Sequence, residues 1–173
     1  SLRVLFFRVD MFRHRDVIAK APTGTGKTCA FGIPVAEHID PEKKYPQAVI
    51  MAPTRELAQQ IAEELTELTY FMPEVQVACV YGGANMEKQA RRLAEGCQIV
   101  VATPGRLMDH YKHHSIDLAH VTQVVLDEAD EMLNMGFYKD VRHIIELMKV
   151  RKSLSMFSAT ISREVMDIGW LYQ

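Results

Sequence analysis

The sequence predicts an α/β fold in which a parallel β-sheet is covered by helices on both faces. Two observations carry this prediction. A glycine-containing loop, residues 21–28, stands between a short β-type run and a helix-compatible segment, which is the order of a phosphate-binding loop. Downstream, short apolar runs alternate with segments of helical periodicity, as they do when crossover helices join parallel strands.

The candidate phosphate loop reads A-P-T-G-T-G-K-T. Gly24 and Gly26 allow successive backbone N–H groups to turn inward and form an anion site, and the following helix adds its unpaired N-terminal donors. Lys27 is placed to reach the β- and γ-phosphates of a nucleotide, and the Thr28 hydroxyl to ligate Mg²⁺. The general pattern opens with Gly, whereas Ala21 holds that place here. The alternative is a simple turn that contains Lys and Thr.

Six apolar runs are predicted as strands: residues 16–19, 48–52, 75–81, 98–102, 121–126 and 153–157. Helices are predicted over residues 29–38, 55–69, 86–95 and 106–112, and around Val141, Ile144, Ile145 and Met148. Residues that favour helix starts precede several of them: Thr54, Asn85, Thr103 followed by Pro104, and Ser162. Residues 1–15 carry apolar side chains at helical spacing and are interpreted as a packed amphipathic helix.

The composition indicates one globular domain. A chain of 173 residues, 48% hydrophobic, buries a core without disulfides or metals. Its net charge of −2 is unusual for a dedicated nucleic-acid binder, so any such contact has to rest on local groups. No apolar run reaches the length of a membrane span, and no signal-peptide cleavage pattern is visible. Scattered cysteines (Cys29, Cys79, Cys97) are expected to be reduced, buried thiols of a cytoplasmic protein.

A second candidate site lies where an apolar run ends in D-E-A-D, residues 127–130. Ligands of a parallel sheet bind at the carboxyl ends of its strands. Asp127 is therefore placed to hold Mg²⁺, largely through water, and Glu128 to orient or deprotonate an attacking water. The alternative is an acidic helix start, because Asp and Glu favour the first turn. A histidine cluster (His110, His113, His114, His120) lacks metal-site spacing and is interpreted as a solvated helix end.

Several short motifs occur in a specific order: A-P-T-G-T-G-K-T (21–28), P-T-R-E-L (53–57), G-G (82–83), T-P-G-R (103–106), D-E-A-D (127–130) and S-A-T (158–160). In this set and order, the chain resembles the first RecA-like domain of DEAD-box ATP-dependent RNA helicases. The resemblance implies a three-layer RecA-like P-loop NTPase domain with a central parallel sheet. It covers about residue 15 to the end, and the family accepts Ala at the position of Ala21.

The resemblance implies that ATP and Mg²⁺ are the cofactors. The loop residues that would bind ATP are Ala21, Thr23, Gly24, Thr25, Gly26, Lys27 and Thr28. Lys27, Asp127 and Glu128 would be catalytic, and Thr28 and Asp127 would hold the metal. Asp130 would link the acidic motif to Ser158, Ala159 and Thr160, which couple hydrolysis to closure on a second domain.

The resemblance also implies sequence-independent contacts to the RNA backbone. The residues that would line the RNA path are Pro53, Thr54, Arg55, Gly82, Gly83, Thr103, Pro104, Gly105 and Arg106. Helix-start N–H groups, hydroxyls and arginines are groups that grip phosphates without reading sequence. Each also has a local structural explanation, because Thr54 and Thr103 suit helix caps and Gly82-Gly83 suits a turn.

Two departures from the family divide the chain into an atypical N-terminal segment, 1–14, and a RecA-like ATP-binding domain, 15–173. The family's adenine-reading Gln upstream of the phosphate loop has no counterpart here, since the first Gln is Gln47. The second RecA-like domain, which would be a partner in the full protein, is absent from the sequence. The isolated domain is therefore expected to be nearly inactive.

Three classes of function remain open. The chain is expected to be the ATP-hydrolysing domain of an RNA helicase that remodels or unwinds RNA. The alternative is a non-catalytic RNA or protein adaptor, which the intact Lys27, Thr28, Asp127 and Glu128 disfavour. A GTPase or small-molecule kinase is disfavoured because no N-K-x-D string, which reads guanine, occurs in the chain.

Overall fold

The computed structural model describes residues 10–22 and 26–173. Its centre is one six-stranded sheet. The strands are β1 (Val17–Lys20), β2 (Ala48–Met51), β3 (Val77–Val80), β4 (Ile99–Ala102), β5 (Gln123–Leu126) and β6 (Ser153–Ser158). The predicted strands are confirmed, although the run predicted over 75–81 pairs only across its middle. Its flanking residues, 75–76 and 81, lie in irregular segments before and after β3.

All neighbouring strands are parallel, in the order β1-β6-β5-β2-β4-β3. The inner strands β2, β4, β5 and β6 are buried at every residue, because helices cover both faces. Such strands read as unbroken apolar runs rather than as alternating patterns. The predicted α/β class with a parallel sheet is confirmed.

The helices are α1 (Lys27–Glu37), α2 (Arg55–Leu68), α3 (Met86–Ala94), α4 (Pro104–Lys112), α5 (Ala129–Met132), α6 (Tyr138–Leu147) and α7 (Arg163–Tyr172). A π-helical turn, Leu133–Phe137, joins α5 to α6. The side chains of Thr54, Asn85 and Ser162 accept hydrogen bonds from the first turns of α2, α3 and α7, as predicted. Helix α4 starts at Pro104, because a proline at the first helical position gives up no hydrogen bond.

Two hydrophobic cores lie on opposite faces of the sheet. Helices α1 and α2 cover one face, where Phe31 and Leu65 are buried against Ile50. Helices α3 to α7 contribute buried side chains to the other face, where Leu107 and Ile144 are buried in the same cluster as Val49. Neighbouring residues of β2 therefore point to different cores, which locks the register of the central strand.

Helices α1 and α2 approach closely at Gly32. A Cβ placed on Gly32 would lie 2.8 Å from Leu68 Cδ1 and 2.9 Å from Leu65 Cδ2. The absence of a side chain at Gly32 thus sets the distance between the two helices. The contact matters for the site, because α1 and α2 both begin at the carboxyl edge of the sheet.

Two predictions about individual side chains are wrong. Cys29 is exposed in the first turn of α1, whereas Cys97 is buried and Cys79 is half-buried. Burial raises the pKa of Cys79 to about 12 and that of Cys97 to about 11, so both are thiols at neutral pH. His110 is fully buried rather than solvated, because its face of α4 packs inward. The other three histidines of that cluster are exposed.

Most of the predicted N-terminal helix, residues 1–15, lies outside the described residues. Within the described part of this segment, residues 10–12 are helical. None of the helices in the described ranges is long and apolar enough to span a membrane.

Candidate functional site

The predicted site residues that the structure describes lie at strand ends or just after them, so they share the carboxyl edge of the sheet. The strand order divides this edge into two halves. We call the segments at the ends of β1, β5 and β6 (residues 21–22 with 26–28, 127–130 and 158–160) the phosphate-loop half. The loops after β2, β3 and β4 (residues 53–55, 81–84 and 103–106) form the arginine half. The parallel topology alone brings six separate stretches of the chain to one surface.

The described part of the phosphate loop leads directly into α1. Gly26 is the residue before the helix and has a left-handed conformation, φ +82° and ψ −2°. Glycine adopts this conformation without strain, which explains its use at the bend. Ala21 N donates to Ser158 O over 2.8 Å and so ties the start of the loop to the end of β6. Thr23, Gly24 and Thr25 lie outside the described residues.

Lys27 and Asp127 form an ion pair across a hundred residues of sequence. Lys27 Nζ lies 3.1 Å from Asp127 Oδ1, and the two side chains are 12% and 2% exposed. Glu128 N also donates to Asp127 Oδ1 over 2.9 Å. A charge pair with this little water around it is strongly attractive, and loss of one partner leaves the other uncompensated.

The same residues fit a magnesium ion. Mg²⁺ prefers hard oxygen ligands and is usually held by one or two carboxylates, a hydroxyl and water. Asp127 offers a carboxylate and Thr28, also buried, a hydroxyl on the facing helix. No group of three His, Cys, Asp or Glu side chains in the described residues could hold a metal by itself. The donor set therefore suits an ion that shares its ligands with water and phosphate.

Glu128 has an unusual backbone conformation for a residue with a side chain. Its φ of 49° and ψ of 50° are left-handed, which costs free energy and is found mostly where function requires it. Burial is the largest influence on the Glu128 carboxyl and raises its pKa. The charge of Lys27 opposes this rise, and nearby carboxylates, led by Asp127, add to it. A carboxylate with a raised pKa beside a cation is suited to accept a proton.

Asp130 connects the acidic motif to the S-A-T loop. Asp130 Oδ2 accepts from Thr160 N over 2.9 Å and from Thr160 Oγ1 over 2.7 Å. In the other direction, Asp130 N donates to Ser158 Oγ over 3.1 Å, and Ser158 Oγ donates to Thr160 O over 2.7 Å. Burial alone would raise the pKa of Asp130, but these hydrogen bonds together outweigh it and lower the pKa. The loops after β5 and β6 are thus joined as one unit.

The cleft at this half has a wall that the sequence analysis missed. Gly26, Lys27 and Thr28 line it together with Asp127 and Glu128. The opposite wall comes from α2, through Leu57, Gln60 and Glu64. These three residues recur at spacings of three and four, so the helical periodicity after P-T-R-E-L could have placed them on one face.

In the arginine half, Arg55 lies over the ring of Tyr81. Thr54 Oγ1 accepts from Leu57 N over 3.2 Å and caps α2. The Arg55 guanidinium lies 4.9 Å from the centroid of the Tyr81 ring. Gly82 and Gly83 are exposed, and Gly83 has a φ of +80°. Pro53 is buried behind the cap.

The Arg106 side chain is mostly buried and is bonded to neighbouring residues of the protein. Its side chain is 13% exposed, and Nη1 donates to Ala84 O over 2.9 Å and to Gln89 Oε1 over 3.1 Å. Thr103 and Pro104 are buried at the start of α4, and Gly105 lies next to them. A Cβ on Gly105 would lie 3.8 Å from Phe137 Cε1, which is ordinary contact. The sequence analysis missed Gln89 and His110, which lie behind Arg106.

The parallel sheet, the phosphate loop on α1 and the acidic motif after β5 define a phosphate-loop NTPase domain of the RecA-like type. A model of the DEAD/DEAH box helicase family matches residues 8–168. The chain belongs to this family.

Curated relatives of this chain include bacterial RNA helicases. It is 47% identical over 154 residues to the ATP-dependent RNA helicase DeaD of Escherichia coli (strain K12), which covers 89% of this chain and 24% of DeaD. It is 49% identical over 155 residues to the ATP-dependent RNA helicase CshA of Limosilactobacillus reuteri, which covers 90% of this chain and 31% of CshA. The chain therefore spans about a quarter to a third of the length of these relatives.

Solved structures of proteins of this kind have a similar fold. A hypothetical ATP-dependent RNA helicase from Sulfolobus tokodaii superposes with a TM-score of 0.89 at 36% identity, over 98% of this chain and 49% of that one. A DEAD box protein from Methanococcus jannaschii superposes with a TM-score of 0.87 at 37% identity, over 96% of this chain and 45% of that one. These likenesses confirm the predicted RecA-like fold.

Proposed function

We propose that this chain is the ATP-binding and RNA-contacting domain of an RNA helicase that remodels RNA together with a second RecA-like domain. The observation that carries the proposal is the Lys27–Asp127 ion pair with Glu128 beside it. It combines a cation for phosphate, a carboxylate for Mg²⁺ and a carboxylate for water within one cleft. We assign this domain to residues 15–173, after an N-terminal segment of residues 1–14. We expect the protein to be cytoplasmic.

The nucleotide would bind in the cleft of the phosphate-loop half. The Lys27 ammonium would pair with the β- and γ-phosphates in place of Asp127, and the loop residues Thr23 to Gly26 would present N–H groups to them. Ala21, whose N–H is bonded to Ser158 O, would anchor the start of the loop. Thr28 and Asp127 would hold Mg²⁺, which neutralises charge on the phosphates when it is bound. Each contact is made to phosphate, so the geometry favours a nucleoside di- or triphosphate.

Glu128 would act on the water that attacks the γ-phosphorus. The carboxylate accepts the hydrogen bond of that water and, as the new P–O bond forms, its proton. The bond from the γ-phosphorus to the bridging oxygen breaks, and the nucleoside diphosphate leaves with Lys27 beside its phosphates. The raised pKa of Glu128 makes its carboxylate a better proton acceptor.

RNA would bind along the arginine half, through its backbone. Arg55 and Arg106, the helix-start groups at Thr54 and Thr103, and the exposed turn at Gly82-Gly83 would bind the phosphates. Pro53, Pro104 and Gly105 shape the same surface. Asp130, Ser158, Ala159 and Thr160 would couple hydrolysis to closure on the second domain, because they join the catalytic loop to the end of β6.

Calorimetric titration with MgADP tests the nucleotide assignment. Lys27→Met should weaken binding by at least about tenfold, since charge-assisted hydrogen bonds contribute about 1.5–3 kcal/mol. Lys44→Met is the matched control, because Lys44 Nζ bonds to Glu74 O in the turn that leads into β3, at the amino edge of the sheet. If Lys27→Met binds MgADP as tightly as the wild type, the ion pair is structural and the adaptor alternative is favoured.

A further inference from the structure

A buried polar cluster lies directly behind the arginine half. Gln89 of α3 and His110 of α4 are 8% and 0% exposed. His110 Nε2 lies 3.0 Å from Gln89 Oε1, which also accepts from Arg106 Nη1 over 3.1 Å. Gln89 Nε2 donates to Tyr81 O over 3.1 Å. Buried polar groups of this kind are kept only where their hydrogen bonds hold something in place.

The partners determine the proton positions in this cluster. The Tyr81 carbonyl can only accept and the Arg106 guanidinium can only donate, so Gln89 must face Tyr81 with its NH₂ and Arg106 with its oxygen. The same oxygen faces His110, which therefore donates from Nε2. In the neutral ring Nδ1 then carries no proton, and it has no hydrogen-bond partner within the described ranges. All the hydrogen bonds of the cluster can therefore form while His110 is neutral.

The cluster holds both ends of the loop 81–84. Gln89 binds the carbonyl of Tyr81 at its start, and Arg106 binds the carbonyl of Ala84 at its end. Between these anchors, Gly82 and Gly83 are exposed and offer their backbone to the surface. Two glycines in succession are conformationally free, so the anchors decide which arrangement the loop adopts.

We propose that Gln89 and His110 are positioning residues for RNA, which hold the loop 81–84 and the Arg106 guanidinium in the arrangement that grips the phosphate backbone. This inference rests on the RNA placement proposed above. Neither side chain touches RNA, since both are buried. Their effect on affinity comes from the order of the loop before RNA arrives, which lowers the entropic cost of binding.

The charge state of His110 gives the cluster a pH dependence. Burial, as the largest cause, lowers the pKa of His110, and the charge of Arg106 lowers it further. Asp109 opposes this effect, and His113 adds to it. Because the folded-state pKa lies below the ordinary 6.5, the cluster is intact above that pH and is lost as the pH falls through the folded-state value. Protonation would place a second cation against the enclosed Arg106.

The test compares two buried glutamines in this chain. Gln89→Met removes the anchor at nearly constant volume. Gln98→Met is the matched control, because Gln98 is 0% exposed and bonds to Gln76 N, Pro41 O and Glu74 O, residues that precede β3 and β2 at the opposite edge of the sheet. The measurements are the Kd for a fluorescent oligouridylate by anisotropy at low salt, the Kd for MgADP and the Tm.

Gln89→Met should weaken RNA binding about tenfold, as expected when a buried hydrogen-bond network loses its central member. Gln98→Met should lower the Tm comparably and leave the RNA Kd within about twofold, and neither variant should change the Kd for MgADP. The positioning role is overturned if a folded Gln89→Met binds RNA like the wild type, or if Gln98→Met weakens binding equally. A wild-type chain that does not bind the oligouridylate overturns the RNA placement itself, which is a different result.

A pH series provides an independent measurement if Gln89→Met does not fold. His110→Gln keeps a donor near the position of Nε2 but does not titrate. The ratio of the wild-type Kd to the His110→Gln Kd should rise several-fold between about pH 7.5 and the onset of acid unfolding, with the rise below pH 6.5, because burial and Arg106 lower the pKa of His110. Exposed histidines affect both proteins equally and cancel from this ratio. A ratio that stays constant over this range overturns the proposal.

Discussion

The two halves of the carboxyl edge are built from different interactions. The phosphate-loop half relies on charged groups. These are the buried Lys27–Asp127 ion pair, the carboxylate of Glu128, whose backbone conformation is left-handed, and the Asp130 carboxylate, which accepts a hydrogen bond from Thr160. The arginine half relies on hydrogen bonds to neutral groups. The Gln89 amide donates to the carbonyl of Tyr81, and Arg106 donates to the carbonyl of Ala84. The Arg106 guanidinium donates to two neutral oxygens, those of Ala84 and Gln89, and its Nε also lies 3.8 Å from the exposed carboxylate of Asp109.

This difference matches the tasks proposed for the two halves. Charged groups that pair with one another can exchange partners when a phosphate or a metal arrives, so the phosphate-loop half can respond to a ligand. A surface held by neutral hydrogen bonds keeps its shape when ligand charge approaches, which suits contacts that do not read sequence. The predictions below test whether the two halves are separable in this way.

The largest expected effect is on catalysis. In the full-length protein, Glu128→Gln should reduce steady-state ATPase activity at saturating RNA by about 10²–10⁴-fold, because a positioned base is lost. ATP binding should persist, since Lys27, Thr28 and Asp127 remain. Glu131→Gln is the control, as Glu131 is an exposed carboxylate three residues further on. Near-normal turnover by Glu128→Gln would contradict the role of Glu128 as the base.

The next effect is on stability. Asp127→Asn should lower the free energy of unfolding by about 3 kcal/mol, because it leaves the enclosed Lys27 without its counter-charge. Glu87→Gln, which breaks the exposed pair between Glu87 and Arg91, should cost less than about 1 kcal/mol. Urea unfolding monitored by circular dichroism measures both. Equal costs for the two variants would mean that the Lys27–Asp127 pair is as well solvated as a surface pair.

A smaller effect is expected in the arginine half. Arg55→Ala and Arg106→Ala should each weaken the binding of RNAs of unrelated sequence, and for a given variant the factor should be similar for all of them. Each lost phosphate contact should reduce the slope of log K against log salt concentration by about 0.7. Arg106→Ala should lose more affinity, because Ala84 is released as well. Arg91→Ala is the control, since Arg91 is exposed on α3. A loss confined to one RNA sequence would contradict backbone recognition.

The smallest expected effect is base selectivity. MgADP and MgGDP should bind this chain with affinities that differ by less than about tenfold, or roughly 1.4 kcal/mol, because every nucleotide contact proposed here is to phosphate. Paired calorimetric titrations measure the difference. A larger preference for ADP would show that a residue among 1–15 reads adenine. That residue would not be a Gln, because the first Gln of the chain is Gln47.

The local features of this protein were readable from the sequence because they depend on neighbouring residues. Helix caps at Thr54, Asn85 and Ser162 need only the first turn that follows them, and apolar runs show where strands begin and end. The order of the short motifs indicated the family before any coordinate was known. The burial of His110 was missed because histidine is found both inside and outside proteins, although the apolar Leu107, three residues earlier, marks the inward face of α4.

Six strands, their helices and the acidic and glycine-rich loops can all be identified from the sequence. Which loops become neighbours depends on the packing of the whole chain. The inner strands are all short and apolar, so their composition does not specify the order β1-β6-β5-β2-β4-β3. That order separates the two halves, brings Lys27 to Asp127 and places Gln89 between Tyr81 and His110. Contacts between residues distant in sequence depend on how whole elements pack, and no local pattern records that packing.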